Sequence, residues 1–365
     1  MVLNLECYAP RFAIKIGGVS QTELEKSITS LEIDENLDSS SMFSFNISEL
    51  LDMKTQAFSW LDNRLLDPEN GEDVEIYIGY AGKAVEQDEP SITGRITALN
   101  PSFPQSGVPI IMVQGYDSSF CLHKSVVNER RIYDEEGTYQ DIVRKIARKH
   151  NEEEGEIEQV TRSCARTTQN PGESDYAFLK RLSDRIGFEF FVRNNKVYFR
   201  RPRDDSEEVM TFRWGRELIS FSPRMSTANV LSRVTVRGHN QRDPLNPIIG
   251  EATLNDVEFR EPEARSAAES IGSQAEGSEH DVPVSSQEDA DALAASLLAR
   301  ANNSFIEGSC ECIGTPDLRT GVNVRIEGIG KRFSGRYYVK SVHHSLGDGG
   351  YTTTFEVRRG GSGVI

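Results

Sequence analysis

Histidine and cysteine are the side chains best suited to metal or nucleophilic chemistry, and their spacing in this chain argues against both. Cys121 and His123 lie two apart, able to share a strand face, but two ligands are half of a zinc site. Cys310 and Cys312 would have to complete it from the far end of the chain, so packed thiols are the expectation. Those two fall side by side on one face of an expected strand, where a mutual disulfide would be strained. With Cys7 and Cys164 the total is odd, which fits reduced thiols in a cytoplasmic protein. His343 and His344 are adjacent, so a strand sends them to opposite faces, one to the core and one to the surface. No G-x-S-x-G elbow, H-E-x-x-H pair, Walker loop or helix-opening G-x-G-x-x-G occurs. Paired carboxylates are too abundant among 57 acidic residues to mark a glycosidase site. The expectation is no catalysis, no cofactor and no metal.

One charged group stands out. Lys331, Arg332, Arg336 and Lys340 form a basic cluster in a chain of net charge −16. Two readings are open: a solvated strand face, or a docking site for an acidic partner. The negative total gives no global attraction to nucleic acid or to an anionic membrane. No apolar run approaches the roughly 20 residues that span a bilayer. The first residues lack the basic, apolar and small-residue order of a secretory signal.

The elements that would hold these residues are mostly strands. Leu31 and Ile33, then Phe43, Phe45 and Ile47, then Val74, Ile76 and Ile78 alternate with polar neighbours. Around Gly94 the pattern repeats, and Pro109 places the next run at a strand start or an edge. The middle changes period. Thr138 opens a helix carrying Ile142, Val143, Ile146 and His150, with Asp141 at the capping-box position. A very acidic loop, 152–158, follows. Ser174 caps a second helix with Phe178, Leu179, Leu182 and Ile186 as its stripe, and Gly187 ends it. Asn194 and Asn195 then suit the tight turn of a hairpin. Strands resume at 209–214 and around Val234 and Val236. The stretch 238–286 is polar and reads as a mobile loop or a segment ordered by a partner, closed by a helix over 287–301. The last block, 321–359, reads as a three-stranded meander, followed by a flexible tail from Gly360.

A weak internal repeat joins the two ends. The runs beginning at Val74, Gly94 and Val108 stand in the same order as those beginning at Val322, Gly335 and Tyr351. It would mean two similar barrels in one chain. The expected fold is therefore mainly β with a small α/β module and two similar antiparallel β-barrel domains. The boundaries are 1–130 for the first barrel, 131–205 for the module, and 206–365 for the second barrel with its polar loop 238–286.

Several segments resemble the late-control gene D family of contractile-phage tail hubs and the hub part of VgrG-type proteins. They are Tyr139-Gln-Asp-Ile-Val-Arg-Lys-Ile-Ala, then Glu173-Ser-Asp-Tyr-Ala-Phe-Leu-Lys-Arg-Leu with its hairpin, Val234-Thr-Val-Arg-Gly, and the C-terminal meander. The resemblance implies a homotrimeric baseplate hub of a contractile injection machine, a symmetry adaptor between a hexameric inner tube and a trimeric spike. Its partners would be itself, the tube protein, a separate spike protein and other baseplate proteins, with assembly in the bacterial cytoplasm. A soluble ligand- or carbohydrate-binding β protein is the alternative, though Trp60 and Trp214 lie far apart for a stacking surface. An enzyme, for instance a wall hydrolase carried on the baseplate, would need a constellation that the sequence does not display.

Overall fold

The computed structural model describes residues 9–49, 51–52, 54, 57–81, 89–133, 137–160, 167–238, 247–259, 262–271, 276–282, 284, 286–360 and 362–364. The N-terminal part comprises β1 (Pro10–Ile16), β2 (Val19–Ser20), α1 (Thr22–Ser27), β3 (Ile28–Asn36) and β4 (Met42–Ser48). After the short β5 (Leu51–Asp52) and β6 (Ala57–Phe58) come β7 (Asp73–Tyr80), β8 (Ile92–Ser102) and β9 (Ile110–Asp117). Alternation makes these strands: Phe43, Phe45 and Ile47 are buried, while Ser44, Asn46 and Ser48 are only half covered. With Ile14, Leu31, Ile33, Val74, Ile76 and Val113 they form one core. Pro109 lies just before β9, which sits between β4 and β8, so the proline marks a strand start and not an edge.

The middle holds α2 (Ser119–Lys124), β10 (Arg131–Tyr133), α3 (Tyr139–Lys149), β11 (Glu153–Ile157), β12 (Thr167–Gln169), α4 (Asp175–Ile186), β13 (Glu189–Arg193) and β14 (Lys196–Arg200). Ser174 Oγ accepts the Ala177 N–H at 3.1 Å, and Gly187 takes the left-handed conformation at φ 71°. Asn194 and Asn195 turn the β13–β14 hairpin at φ 48° and 59°. Thr138 is extended at the start of α3, but its hydroxyl donates to the Asp141 carboxylate at 2.5 Å instead of capping an N–H. The expected acidic loop is a strand: β11 pairs parallel with β14. Its carboxylates avoid mutual repulsion through arginines, Glu154 with Arg144 at 3.1 Å and Glu158 with Arg201 at 3.4 Å. Phe178, Leu179, Leu182, Phe190 and Phe199 fill this module, joined by Leu122 of α2.

The C-terminal part runs β15 (Glu208–Arg213), β16 (Leu218–Met225), β17 (Arg233–Gly238), β18 (Ile248–Thr253), β19 (Val257–Phe259), α5 (Pro262–Ile271), β20 (Glu276–Val282) and α6 (Gln287–Asn303). Then follow β21 (Ile306–Ile313), β22 (Asn323–Glu327), α7 (Gly330–Phe333), β23 (Gly335–Gly347), β24 (Gly350–Arg359) and β25 (Ser362–Val364). The expected loop 238–286 is corrected: its described residues include β18 and β20, which flank β17 in a small sheet packed on α6, together with β19 and α5. Few large apolar residues are needed, because small ones let the backbones approach. A Cβ on Gly250 would lie 2.2 Å from the Ala290 carbonyl carbon, and Ala252, Ala290, Ala294 and Ala299 are buried between the layers. The expected flexible tail is corrected too. β25 pairs with β19, and a Cβ on Gly360 would meet the Asn302 carbonyl oxygen at 2.4 Å, so glycine lets the chain press against α6.

One 13-stranded sheet joins both ends of the chain, along the path β16-β21-β24-β23-β3-β4-β9-β8-β7-β1-β2, with β22 and β15 branching from β23. Two five-stranded units lie within it. In the first, β3-β4-β9-β8-β7 pair antiparallel in that order; in the second, β16-β21-β24-β23-β22 do the same. The registers match as well. The β3–β4 ladder shifts between Ile28 and Ser30, and the β16–β21 ladder between Leu218 and Ser220. The β8–β9 ladder shifts between Ile96 and Ala98, and the β23–β24 ladder between Val339 and Ser341. Superposing these bulges aligns Val74 with Val324 and Ile96 with Val339, two residues away from the match suggested by Gly94 and Gly335. The two units thus agree in strand order and in the positions of their bulges, features that tend to persist within families. β1 and β15 break the match, since β1 pairs antiparallel with β7 whereas β15 pairs parallel with β22.

Candidate interaction surfaces and comparison with known proteins

The residues singled out for chemistry are separated by the fold. Cys121 and His123 lie on α2 and not on a strand, so two residues of helix turn them to opposite sides. His123 stacks on Tyr176 at 3.8 Å between ring centroids, while Cys121 is exposed, not packed. Cys310 and Cys312 are buried free thiols on β21. Burial pushes both thiols up, that of Cys312 to about 12, so neither is a nucleophile at neutral pH. Cys7 and Cys164 lie outside the described residues. Among the described residues, no three histidine, cysteine or acidic side chains come together as metal ligands.

His343 and His344 do point to opposite faces. His343 Nδ1 meets Asp34 Oδ1 at 2.7 Å across the β23–β3 joint, and that hydrogen bond raises its pKa. His344 is fully buried, with Tyr351 Oη at 2.9 Å and Thr353 Oγ1 at 3.1 Å from Nδ1. Burial pushes its pKa down to about 4. The neutral ring is therefore the folded form, and its contribution is complete above the unfolded value of 6.5. As pH falls from there towards 4 that contribution disappears, a loss on the order of 3 kcal/mol. His344→Gln should flatten the acid limb of a stability-versus-pH curve from urea unfolding; an unchanged slope would contradict the assignment.

The buried carboxylates are framework. Glu35 on β3 lies 2.6 Å from Arg319 Nη1 and 3.7 Å from Arg193 Nη2, joining the first unit, the module and the second unit. Burial raises its pKa, but Arg319 and Arg193 outweigh that and hold it below the ordinary range. Glu189 on β13 accepts the Tyr338 hydroxyl at 2.6 Å and faces Arg358 at 3.6 Å, tying the module to the second unit. Asp175 at the start of α4 binds His150, Lys149, Gln169 and Ser125. Glu49 accepts backbone N–H groups of Ser59, Trp60 and Leu61.

The basic cluster is divided. Lys331 and Arg332 stand exposed on the short α7, without an acidic partner among the described residues. Arg336 and Lys340 lie on β23 and are partly covered. Arg336 Nε donates to Glu208 Oε1 at 2.8 Å, and Lys340 Nζ donates to Glu307 Oε1 at 3.1 Å. The four residues thus do not share one strand face, and two of the charges are already matched. Sequence spacing gave no sign of these partners, because Glu208 and Glu307 arrive from other strands. Lys340 also lines an open groove of about 870 Å³ between the module and α6, with Lys180, Asp184, Arg203 and Arg300. Its wall is more polar than apolar and carries charges of both signs, unlike the predominantly apolar wall of a small-molecule pocket.

The family model described as the Alg8 N-terminal domain matches residues 9–348, nearly the whole chain. The chain belongs to the Alg8 N-terminal domain family. No curated protein matches it by sequence. Solved structures share the fold that this family member adopts. The 43 kDa tail protein of prophage MuSo2 from Shewanella oneidensis superposes with a TM-score of 0.72 at 16% identity, covering 96% of this chain and 98% of its own. A tail protein from Neisseria meningitidis MC58 gives 0.72 at 14% identity, over 97% and 98% of the two chains. The E. coli c3393 protein, described as a component of the type VI secretion system, gives 0.58 at 14% identity, over 94% and 76%. At these identities the likeness is one of fold. Within the described residues, no helix of this family member is long and apolar enough to cross a membrane.

Proposed function

We propose that this chain is a non-catalytic baseplate hub of a contractile, phage-tail-like injection machine. Three copies would adapt a hexameric inner tube to a trimeric spike. The observation that carries this reading is the duplication: two units with matched strand order and matched bulges give three chains six similar units. The fold shared with tail proteins over nearly the full chain length supports it. In this reading residues 1–130 and 206–365 are the two barrel-like halves and 131–205 is the module that braces them. The inner tube protein meets the ring of units, and a separate spike protein docks on the other side. Lys331 and Arg332 on α7 would receive an acidic partner, with Arg336 and Lys340 supporting from the strand. Assembly takes place in the bacterial cytoplasm before incorporation into the particle. Imaging particles made with and without this gene tests the role. Loss of complete baseplates is expected; intact particles of normal morphology without the chain would overturn it.

A further inference from the structure

The joint between the two units has a counterpart that one chain leaves open. Within the chain, residues 341–346 of β23 in the second unit pair antiparallel with residues 31–36 of β3 in the first. The matched registers make β8 the equivalent of β23, and β16 the equivalent of β3. Yet residues 98–102 of β8 have no strand on the side away from β9, and β16 has none on the side away from β21, among the described residues. Each unit therefore presents the edge that the other has already used.

We propose that β8 of one copy pairs antiparallel with β16 of a second copy, repeating between chains the joint found within the chain. The proposal rests on the self-assembling hub reading and adds the surface and the register. Transferring the internal register sets Leu99 opposite Met225, Asn100 opposite Arg224, Pro101 opposite Pro223 and Ser102 opposite Ser222. Polarity agrees across the joint. Leu99 and Met225 are both half-buried apolar side chains, whereas Asn100, Ser102, Arg224 and Ser222 are all exposed and polar. The internal joint has the same character, with Leu346 against Leu31 on the covered face and Ser345 against Glu32 on the other.

The prolines select this register. Glu49 N–H donates to the Pro109 carbonyl, so the neighbouring Ile111 turns its backbone groups to β4. Pro101, opposite Ile111, then turns its nitrogen to the open edge. By the same reasoning from the Gly314 N–H to Tyr351 carbonyl bond, Pro223 opposite Gly308 faces the other open edge. Proline on an edge discourages indiscriminate pairing. In the transferred register the two prolines oppose each other and interrupt one residue pair; a shifted register that keeps both prolines in the ladder interrupts two. A head-to-tail contact of this kind closes into a ring when the rotation allows it.

Ser102 and Ser222 fall at a non-hydrogen-bonded pair, where Cα atoms in antiparallel ladders lie about 4.5 Å apart, within disulfide reach. The test is Ser102→Cys with Ser222→Cys in a Cys121→Ser background, oxidised and separated under denaturing, non-reducing conditions. Light scattering on the same samples reads the assembly state. Covalent trimers are expected from the double variant and from neither single one. Ser102→Cys with Ser220→Cys, two residues out of register, should give none. Trimers by light scattering without cross-linking of the matched pair would overturn the edge pairing and leave the hub reading standing. A chain that remains monomeric and uncross-linked would overturn both.

Discussion

Replacing Glu35 by Gln should destabilise the fold by about 3–5 kcal/mol, the cost typical of removing one partner from a buried ion pair. The amide is close to isosteric and can still accept from the Thr320 N–H, which lies 3.4 Å from Oε2. It cannot balance Arg319 and Arg193, both largely shielded from water. The exposed pair Arg95–Asp73, at 2.8 Å, is the comparison: its loss should cost under about 1 kcal/mol, because water already screens it. The pH dependence has a definite sign. Glu35 has a depressed folded pKa, so its contribution is present above the unfolded value of 4.5 and is lost as pH falls through the folded one. Urea unfolding should therefore show a large deficit for Glu35→Gln near neutrality that shrinks in acid. Equal deficits for Glu35→Gln and Asp73→Asn would show that the joint does not depend on this carboxylate.

Phe45→Ala should cost about 3–5 kcal/mol, while Cys310→Ala should cost about 1 kcal/mol, although the two residues occupy equivalent places in the matched units. The units distribute their volume differently. In the first, Phe43 and Phe45 on β4 fill the space, and Phe43 presses on Gly115, where a Cβ would lie 2.1 Å from its ring. In the second, β21 carries Gly308 and Cys310 instead. The space is taken by Phe221 from β16, whose ring would lie 2.5 Å from a Gly308 Cβ. The large side chain has moved one strand across. Thermal or urea unfolding of the two alanine variants measures the contrast, and equal losses would contradict this exchange of volume between the strands.

This exchange of volume explains why the correspondence between the two units is faint in the amino-acid sequence. Strand order and bulges persist while Phe43 is matched by Gly308 and Phe45 by Cys310, so residue identity carries little of the signal. Where local chemistry decides conformation, the sequence was sufficient. Ser174 and Gly187 bound α4, Asn194-Asn195 turn the hairpin, and the C-terminal meander follows the alternation of Val324, Ile326, Val342 and Phe355. Where distant partners decide, it was not. The acidic strand β11 depends on arginines from α3 and from the residues after β14, Arg144 for Glu154 and Arg203 for Glu156. The small sheet over α6 depends on alanine and glycine at close approach, which reads as polar loop when hydrophobicity alone is weighed. The basic cluster looked continuous because Glu208 and Glu307, which match Arg336 and Lys340, are far away in the chain.

If the chain assembles in threes, light scattering of the purified protein across a concentration series should show a species of about three times the 40.8 kDa chain mass, with little of any even-numbered assembly. A monomer throughout the series, or a closed dimer, would rule out the trimeric hub.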